Sequence, residues 1–217
     1  MPLTSEQLAA LRLDYAERGL HRVDLDPDPI AQFNHWLGEA IQQDLVEPNA
    51  MILATVDDSG QPWTRTVLLK VCDARGFAFF TNYESKKARQ LAKNPRAALT
   101  IWWGALARQV NIAGNVSKTS AEESARYFQS RPVASQLGAW ASPQSEVLAN
   151  RAELERRFEE AKANFGESNV PLPPHWGGYL VAPQAIEFWQ GRRSRLHDRF
   201  RYTRQADGSW KIDRLSP

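Results

Sequence analysis

The spacing of apolar and polar positions changes along the chain, and each change marks an element. Near the N-terminus Leu8, Leu11 and Tyr15 recur at helical spacing, Thr4 and Gln7 have the form of a capping box, and Gly19 can close the helix. A linker rich in Asp and Pro follows at residues 24–29, where Asp28 fits an N-cap and Pro29 the first helical position. Ile30, Phe33, Trp36, Leu37, Ala40 and Ile41 then predict an amphipathic helix whose apolar stripe packs in the core.

From residue 50 the period shortens to that of strands. Residues 50–56, 63–71, 77–81, 96–103 and 107–118 read as strands, with turns at Asp57-Asp58-Ser59-Gly60, at Asp73-Ala74-Arg75-Gly76 and around Gly104. A short helix at residues 85–94, stopped by Pro95, interrupts them. Ser120 and Glu123 form a capping box for a helix through Phe128. Arg131-Pro132 breaks it, and Pro132 fits the first position of a second short helix running towards Ala139. Residues 144–165 contain a longer charged helix ended by Gly166, and Pro171, Pro173 and Pro174 make a stiff connection. Residues 176–181, 185–190, 199–204 and 209–215 complete the strands, the last two joined by a turn at Ala206-Asp207-Gly208. Strands at this spacing predict an antiparallel barrel, so the expectation is one β-dominated domain over residues 1–217 with flanking helices.

Composition narrows the function classes. With 217 residues, 42% hydrophobic and 24% charged, the chain can bury a sizeable core. A net charge of +2 is too small to imply a nucleic-acid partner. Cys72 is the single cysteine, so no intrachain disulfide forms, which fits a reducing, cytoplasmic setting. No basic stretch followed by an apolar core suggests a signal peptide, and no apolar run approaches the ~18 residues of a membrane span. His21, His35, His175 and His197 show no metal-ligand spacing, and there is no GxGxxG motif, Walker loop or nucleophile elbow. A metal, nucleic acid or membrane is therefore not expected.

The candidate chemistry lies in four stretches. In an extended segment at residues 195–200, Arg195, His197 and Arg199 share one face, and Leu196, Asp198 and Phe200 the other. Two guanidinium groups flanking an imidazole suit an anionic, planar ring. A solvated surface loop is the plain alternative; the interleaved Leu196, Asp198 and Phe200 argue against a purely electrostatic tail. In the strand at residues 65–70, Arg65 and Lys70 place a cation at each end, one per face, where bare solvent exposure is again the alternative. Lys86 and Lys87 open the helix that starts near Ser85, a position unfavourable for cations unless an anion lies between them. Tyr127, Arg131 and Ser135 stand four residues apart across the Pro132 break, so a phenol, a guanidinium and a hydroxyl can converge with Lys70 into a phosphate cradle. For Ser135 alone, ordinary helix capping would serve as well.

Phe188-Trp189-Gln190-Gly191 followed by Arg195-Leu196-His197-Asp198-Arg199-Phe200 resembles the C-terminal signature of the pyridoxamine 5′-phosphate oxidase family. Arg65-Thr66-Val67-Leu68-Leu69-Lys70 and the Tyr-Phe-x-Ser-Arg-Pro-x-x-Ser-Gln-x-Gly-Ala-Trp pattern from Tyr127 to Trp140 extend the resemblance, which covers residues 12–217. It implies a split β-barrel and a homodimer with two FMN at its interface. The implied activity is oxidation of pyridoxamine 5′-phosphate and pyridoxine 5′-phosphate to pyridoxal 5′-phosphate, by hydride transfer to the flavin with oxygen reduced to hydrogen peroxide. It assigns FMN binding to Arg65, Thr66, Val67, Leu68, Leu69, Lys70, Phe80, Thr81, Lys86, Lys87, Gln109, Gln144, Ser145, Trp189 and Arg199, with Gln109, Trp189 and Arg199 completing the partner's site. Substrate falls to Lys70, Tyr127, Arg131 and Ser135 at the phosphate, to Arg195 and His197 as the catalytic pair over the ring, and to Arg12 and Tyr15 on a mobile N-terminal segment of about 25 residues. Two positions depart from the family pattern: Phe80 stands where Tyr is usual, and Lys86, a point charge, where Arg is common. The rival reading is a non-catalytic flavin- or haem-binding split-barrel protein, which has no use for a second phosphate site.

Overall fold

The computed structural model describes residues 5–10, 19–166 and 168–217. Helix α1 covers Ser5–Ala10, while Thr4, Leu11 and Tyr15 of the expected N-terminal helix lie outside the described residues. The chain divides into two units: residues 1–48, 101–111 and 185–217 form one, residues 49–100 and 112–184 the other.

Helix α2, Pro29–Gln42, organises the first unit. Asp28 accepts the Ile30 N–H at 2.9 Å and Pro29 opens the helix, as its sequence predicts. Phe33, Trp36 and Ala40 are buried, and Trp36 meets Phe188 edge-on at 5.2 Å, which in turn meets Tyr202 at 5.4 Å. Ile41, expected in the same stripe, is 55% exposed. At 3.6 residues per turn it points roughly 100° away from the mean direction of Phe33, Trp36 and Ala40, at the edge of the stripe.

The strands are β1 (Ala50–Val56), β2 (Pro62–Leu68), β3 (Val71–Asp73), β4 (Gly76–Asn82), β5 (Arg96–Trp103), β6 (Arg108–Lys118), β7 (Trp176–Gln190), β8 (Asp198–Arg204) and β9 (Trp210–Leu215). Their order is β2-β1-β5-β6-β7-β4-β3, with β8 paired to β7 and β9 to β8. Residues 63–71, expected as one strand, are two, because the chain changes partner between them. The Leu69 N–H bonds the Asn49 carbonyl at 2.8 Å, towards β1, whereas the Lys70 N–H bonds the Ala78 carbonyl at 2.9 Å, on β4. The two ends of the strand path, β2 and β3, are thus consecutive in the chain.

Conversely, the two strands expected at residues 176–181 and 185–190 are the single strand β7, which runs through Pro183. The bare faces of Gly76 and Gly114 allow this: a Cβ on either would collide with the carbonyl of Val181 or of Ala182.

The helices of the second unit are α3 (Lys86–Lys93), α4 (Ala121–Ser130), α5 (Val133–Ala141) and α6 (Arg151–Phe165). The Ser120/Glu123 capping box forms in full, with the Glu123 N–H on Ser120 Oγ at 3.1 Å and the Ser120 N–H on Glu123 Oε2 at 3.2 Å. Pro132 caps α5 from outside rather than opening it, one position from expectation. Phe128, Leu137, Ala161, Val170 and Trp176 form the core beneath these helices.

Candidate functional site

Strand β2 and the start of α3 bring together three cations of the second unit. The Arg65 guanidinium donates to Thr55 Oγ1 at 2.5 Å, to the Leu53 carbonyl at 3.3 Å and to Gln90 Oε1 at 3.3 Å. Lys87 is only 7% exposed, and its ammonium donates to Thr81 Oγ1 at 3.0 Å, Ser85 Oγ at 3.2 Å and Gln144 Oε1 at 3.0 Å. All six acceptors are neutral. Burial, with the Arg65 charge adding to it, lowers the Lys87 pKa to about 8, and burial lowers that of Arg65 as well. The Lys86 ammonium lies 2.9 Å from the ring centre of Trp63, whose indole N–H binds Asp57 at 2.8 Å. The first turn of α3 contains no acid to offset these lysines.

A second group of donors gathers around aromatic rings. Phe80 on β4 stacks on Tyr127 of α4 at 4.2 Å and on Trp176 of β7 at 5.7 Å. Pro132 ends α4 at Arg131, and the Gln136 amide fixes this break by donating to the Arg131 carbonyl at 2.8 Å. The Arg131 guanidinium lies over Trp176, and its Nη1 is buried with no hydrogen-bond partner. Lys70 lies 5.9 Å from the ring centre of Tyr127, and Ser135 sits in the first turn of α5.

Both groups line one cavity of about 790 Å³. Arg65, Lys70, Lys86, Lys87 and Arg131 reach it, and among the described residues no Asp or Glu does. A buried ammonium, that of Lys87, and an unpaired buried guanidinium N–H are costly unless an anion meets them, so this donor set fits phosphate groups. Thr66, Val67, Leu68, Phe80, Thr81, Tyr127, Ser135, Gln144 and Ser145 also line the cavity, as the sequence reading expects. Leu69 is buried but is not part of the lining. Ser145 takes φ +77°, a left-handed conformation held at the cavity wall. Sequence reasoning missed Trp63, Asn82, Ser142 and Trp176 in the lining. Trp176 reaches it through the β4–β7 register, which pairs Asn82 with Trp176 and Phe80 with Gly178 and leaves no local signal.

The remaining candidates belong to the first unit, except Arg12 and Tyr15, which lie outside the described residues. The segment at residues 195–200 is not extended throughout. Ser194 and Arg195 take φ +57° and +60°, and the chain makes a 3₁₀ turn over Arg193–Arg195 before β8 starts at Asp198. Arg195 therefore does not share a strand face with His197 and Arg199. Nor do the intervening residues share an environment: Leu196 is 69% exposed and Phe200 is buried. Longer-range bonds impose the turn. Asp198 accepts the Leu20 N–H at 3.0 Å and Arg214 Nη1 at 2.6 Å, and the Arg192 N–H donates to His197 Nδ1 at 3.0 Å.

Burial, and then the charge of Arg195, hold the His197 pKa below the usual histidine value. Its ring packs 4.6 Å from that of Trp189. Arg199 is paired with Glu187 across β7 and β8 at 2.9 and 3.1 Å. Gln109 follows the buried Arg108, which binds Glu39 at 2.8 Å and Gln190 at 3.0 Å.

Among the described residues no helix is long and apolar enough to cross a membrane. The family described as pyridoxamine 5′-phosphate oxidase matches residues 37–165, and the pyridoxine 5′-phosphate oxidase C-terminal dimerisation region matches residues 176–217. A pyridoxine/pyridoxamine 5′-phosphate oxidase of Burkholderia mallei (strain SAVP1) is 57% identical over 212 residues, 97% of this chain and 99% of its own. A protein of the same description from Burkholderia thailandensis is 56% identical over the same shares. Among solved structures, PhzG from Burkholderia lata 383 in complex with tetrahydrophenazine-1-carboxylic acid superposes with a TM-score of 0.86 at 30% identity, covering 93% of this chain and 99% of that one. A pyridoxamine 5′-phosphate oxidase-related, FMN binding protein from Nostoc punctiforme PCC 73102 shares the fold, with a TM-score of 0.70 at 19% identity over 89% of this chain and 98% of that one.

Proposed function

The chain belongs to the pyridoxamine 5′-phosphate oxidase family, and from that premise we propose that it is an FMN-dependent, homodimeric oxidase making pyridoxal 5′-phosphate. Its substrates are pyridoxamine 5′-phosphate and pyridoxine 5′-phosphate, and oxygen is the final acceptor, leaving as hydrogen peroxide. The observation that carries the reading is the cavity with five cations and, among the described residues, no carboxylate, in which Arg131 Nη1 is buried and unpartnered. A cofactor phosphate and a substrate phosphate need two donor sets, and a plain flavin or haem binder needs only one.

In this reading Arg65, Lys86 and Lys87, with Thr81, Gln144 and Ser145, hold the FMN phosphate, and Thr66, Val67 and Leu68 with Phe80 line the flavin, while Leu69 backs the strand from the core. Gln109, Trp189 and Arg199 complete the cofactor site of the partner subunit. Bound FMN supplies the acceptor for the hydride leaving the exocyclic C4′ carbon of the substrate. Lys70, Tyr127, Arg131 and Ser135 anchor the substrate phosphate and so fix the pyridine ring's distance along the cavity. Arg195 and His197 orient the ring, while Arg12 and Tyr15 close over it. His197, whose Nδ1 accepts the Arg192 N–H, carries its proton on Nε2 when neutral and acts there as a donor.

Purified protein should be yellow, and acid release should yield FMN. Under anaerobic conditions pyridoxamine 5′-phosphate should bleach the flavin absorption. Release of FAD or haem overturns the proposal. So does bleaching by a tetrahydrophenazine carboxylic acid in place of the phosphorylated pyridines, which would move the chain towards the reaction class of the Burkholderia lata neighbour.

A further inference from the structure

Arg131 is held by rings, where a buried guanidinium is ordinarily held by a carboxylate. Its central carbon lies 4.8 Å from the ring centre of Trp176 and 5.6 Å from that of Phe128. The Trp176 ring is itself fixed. It lies within 13° of parallel to Phe80 and Tyr127, at 5.7 and 6.1 Å, and stands edge-on to Phe128 at 5.2 Å. A carboxylate partner would engage two of the guanidinium N–H groups in a fork. A ring face engages none, because it attracts the cation through its quadrupole.

We infer that Trp176 is a positioning residue for substrate recognition: its ring face holds Arg131 in place and leaves the guanidinium N–H donors, Nη1 among them, free for the substrate phosphate. The inference rests on the proposed reading of this cavity as a site for phosphorylated pyridines. Lys70 and Tyr127 depend on the same stack, since Tyr127 packs 4.2 Å from Phe80 and Lys70 lies over the Tyr127 ring.

The test compares the FMN-loaded wild type with Trp176→Leu, Trp176→Phe, Arg131→Met and the Trp176→Leu/Arg131→Met double variant. Titration with pyridoxal 5′-phosphate and with unphosphorylated pyridoxal gives Kd, and turnover of pyridoxamine 5′-phosphate gives KM and kcat. Trp176→Leu should raise Kd for pyridoxal 5′-phosphate, and KM, about tenfold. Its kcat at saturation should stay within about twofold, and its Kd for pyridoxal should not move. Trp176→Phe, whose ring attracts a cation less strongly, should show about a threefold rise. In the Arg131→Met background Trp176→Leu should add less than about twofold, because the group it positions is gone. Equal losses for pyridoxal and pyridoxal 5′-phosphate, or effects that multiply in the double variant, make Trp176 mere packing and overturn the inference. Should Trp176→Leu fail to fold, the same comparison of the two ligands in Trp176→Phe decides. A wild type that binds neither phosphorylated pyridine overturns the proposed function and this inference together; a wild type that does, with indifferent Trp176 variants, overturns this inference alone.

Discussion

The backbone N–H of Arg192 donates to Nδ1 of His197 at 3.0 Å, and this bond fixes which nitrogen of the imidazole carries the proton. Burial and the Arg195 charge lower the pKa of the ring, so at neutral pH it is neutral, with its proton on Nε2. A neutral donor suits orientation of a substrate ring better than proton abstraction. His197→Gln, whose amide can still donate, should therefore keep more turnover than His197→Ala, and both should remain yellow. Nitrogen NMR of the histidine should show Nδ1 unprotonated from pH 7 upwards. A protonated Nδ1 in that range, or loss of FMN from either variant, contradicts the assignment.

If Lys87 holds the FMN phosphate as proposed, cofactor affinity should depend on pH. Its pKa in the free protein is lowered to about 8, so it is protonated below that pH and increasingly neutral above it. A phosphate binds the protonated form, so the Kd for FMN should rise as pH climbs past 8, by at most about tenfold per unit. Lys87→Gln should bind FMN more weakly at pH 7 and lose the dependence. The same shift sets a stability trend. The unfolded lysine keeps its ordinary value of 10.5, so the cofactor-free protein should gain stability from this group as pH rises from about 8 towards 10.5. Fluorescence titration of FMN across pH 7 to 10 and thermal melts of the apoprotein check both. A Kd for FMN that is flat through pH 9 in the wild type would remove Lys87 from the phosphate pocket.

Much of this arrangement is legible locally. Asp28 before Pro29, and Ser120 before Glu123, specify helix starts through bonds closed within a few residues. Lys86 and Lys87 stand at the start of α3, against the helix dipole and with no acid in the first turn, where the sequence places them. What escapes the sequence is set at long range. The change of strand partner at Leu69 and Lys70 depends on Asn49 and Ala78. The turn that takes Arg195 out of the strand depends on Asp198 meeting Leu20 and Arg214. Trp176 enters the cavity only once β7 has found its register with β4.

The dimer should be read out at Trp102. This residue is 50% exposed, and its ring lies 5.8 Å from that of Trp189, inside the region that matches the dimerisation segment of the family. A large exposed aromatic ring packed on a half-buried one is typical of an interface core. Sedimentation at micromolar concentration should show one species of twice the 24.6 kDa chain mass. Trp102→Glu should shift it towards monomer and weaken FMN binding in parallel, since Gln109, Trp189 and Arg199 are proposed to serve the partner's cofactor. A yellow, active monomer in either protein defeats this prediction.

Arg131 offers the sharpest separation of the two proposed phosphate sites. It reaches the same cavity as Arg65 and Lys87, yet its Nη1 is unpartnered, whereas Arg65 and Lys87 are bonded to Thr55, Gln90, Thr81, Ser85 and Gln144. A free buried donor gains most when an anion arrives, and losing one charge-assisted hydrogen bond costs roughly 1.5–3 kcal/mol. Arg131→Ala should accordingly weaken binding of pyridoxine 5′-phosphate by about 10–150-fold. FMN affinity should change little, because the donors proposed for its phosphate are untouched. With unphosphorylated pyridoxine, already a poor substrate, the same variant should show a much smaller defect. Steady-state kinetics on both alcohols, with and without the phosphate, and an FMN titration of the variant measure all three quantities. Release of FMN by Arg131→Ala, or an equal loss on pyridoxine and its phosphate, would mean that the guanidinium serves the cofactor or the fold, and the division of the cavity into two phosphate sites would fail.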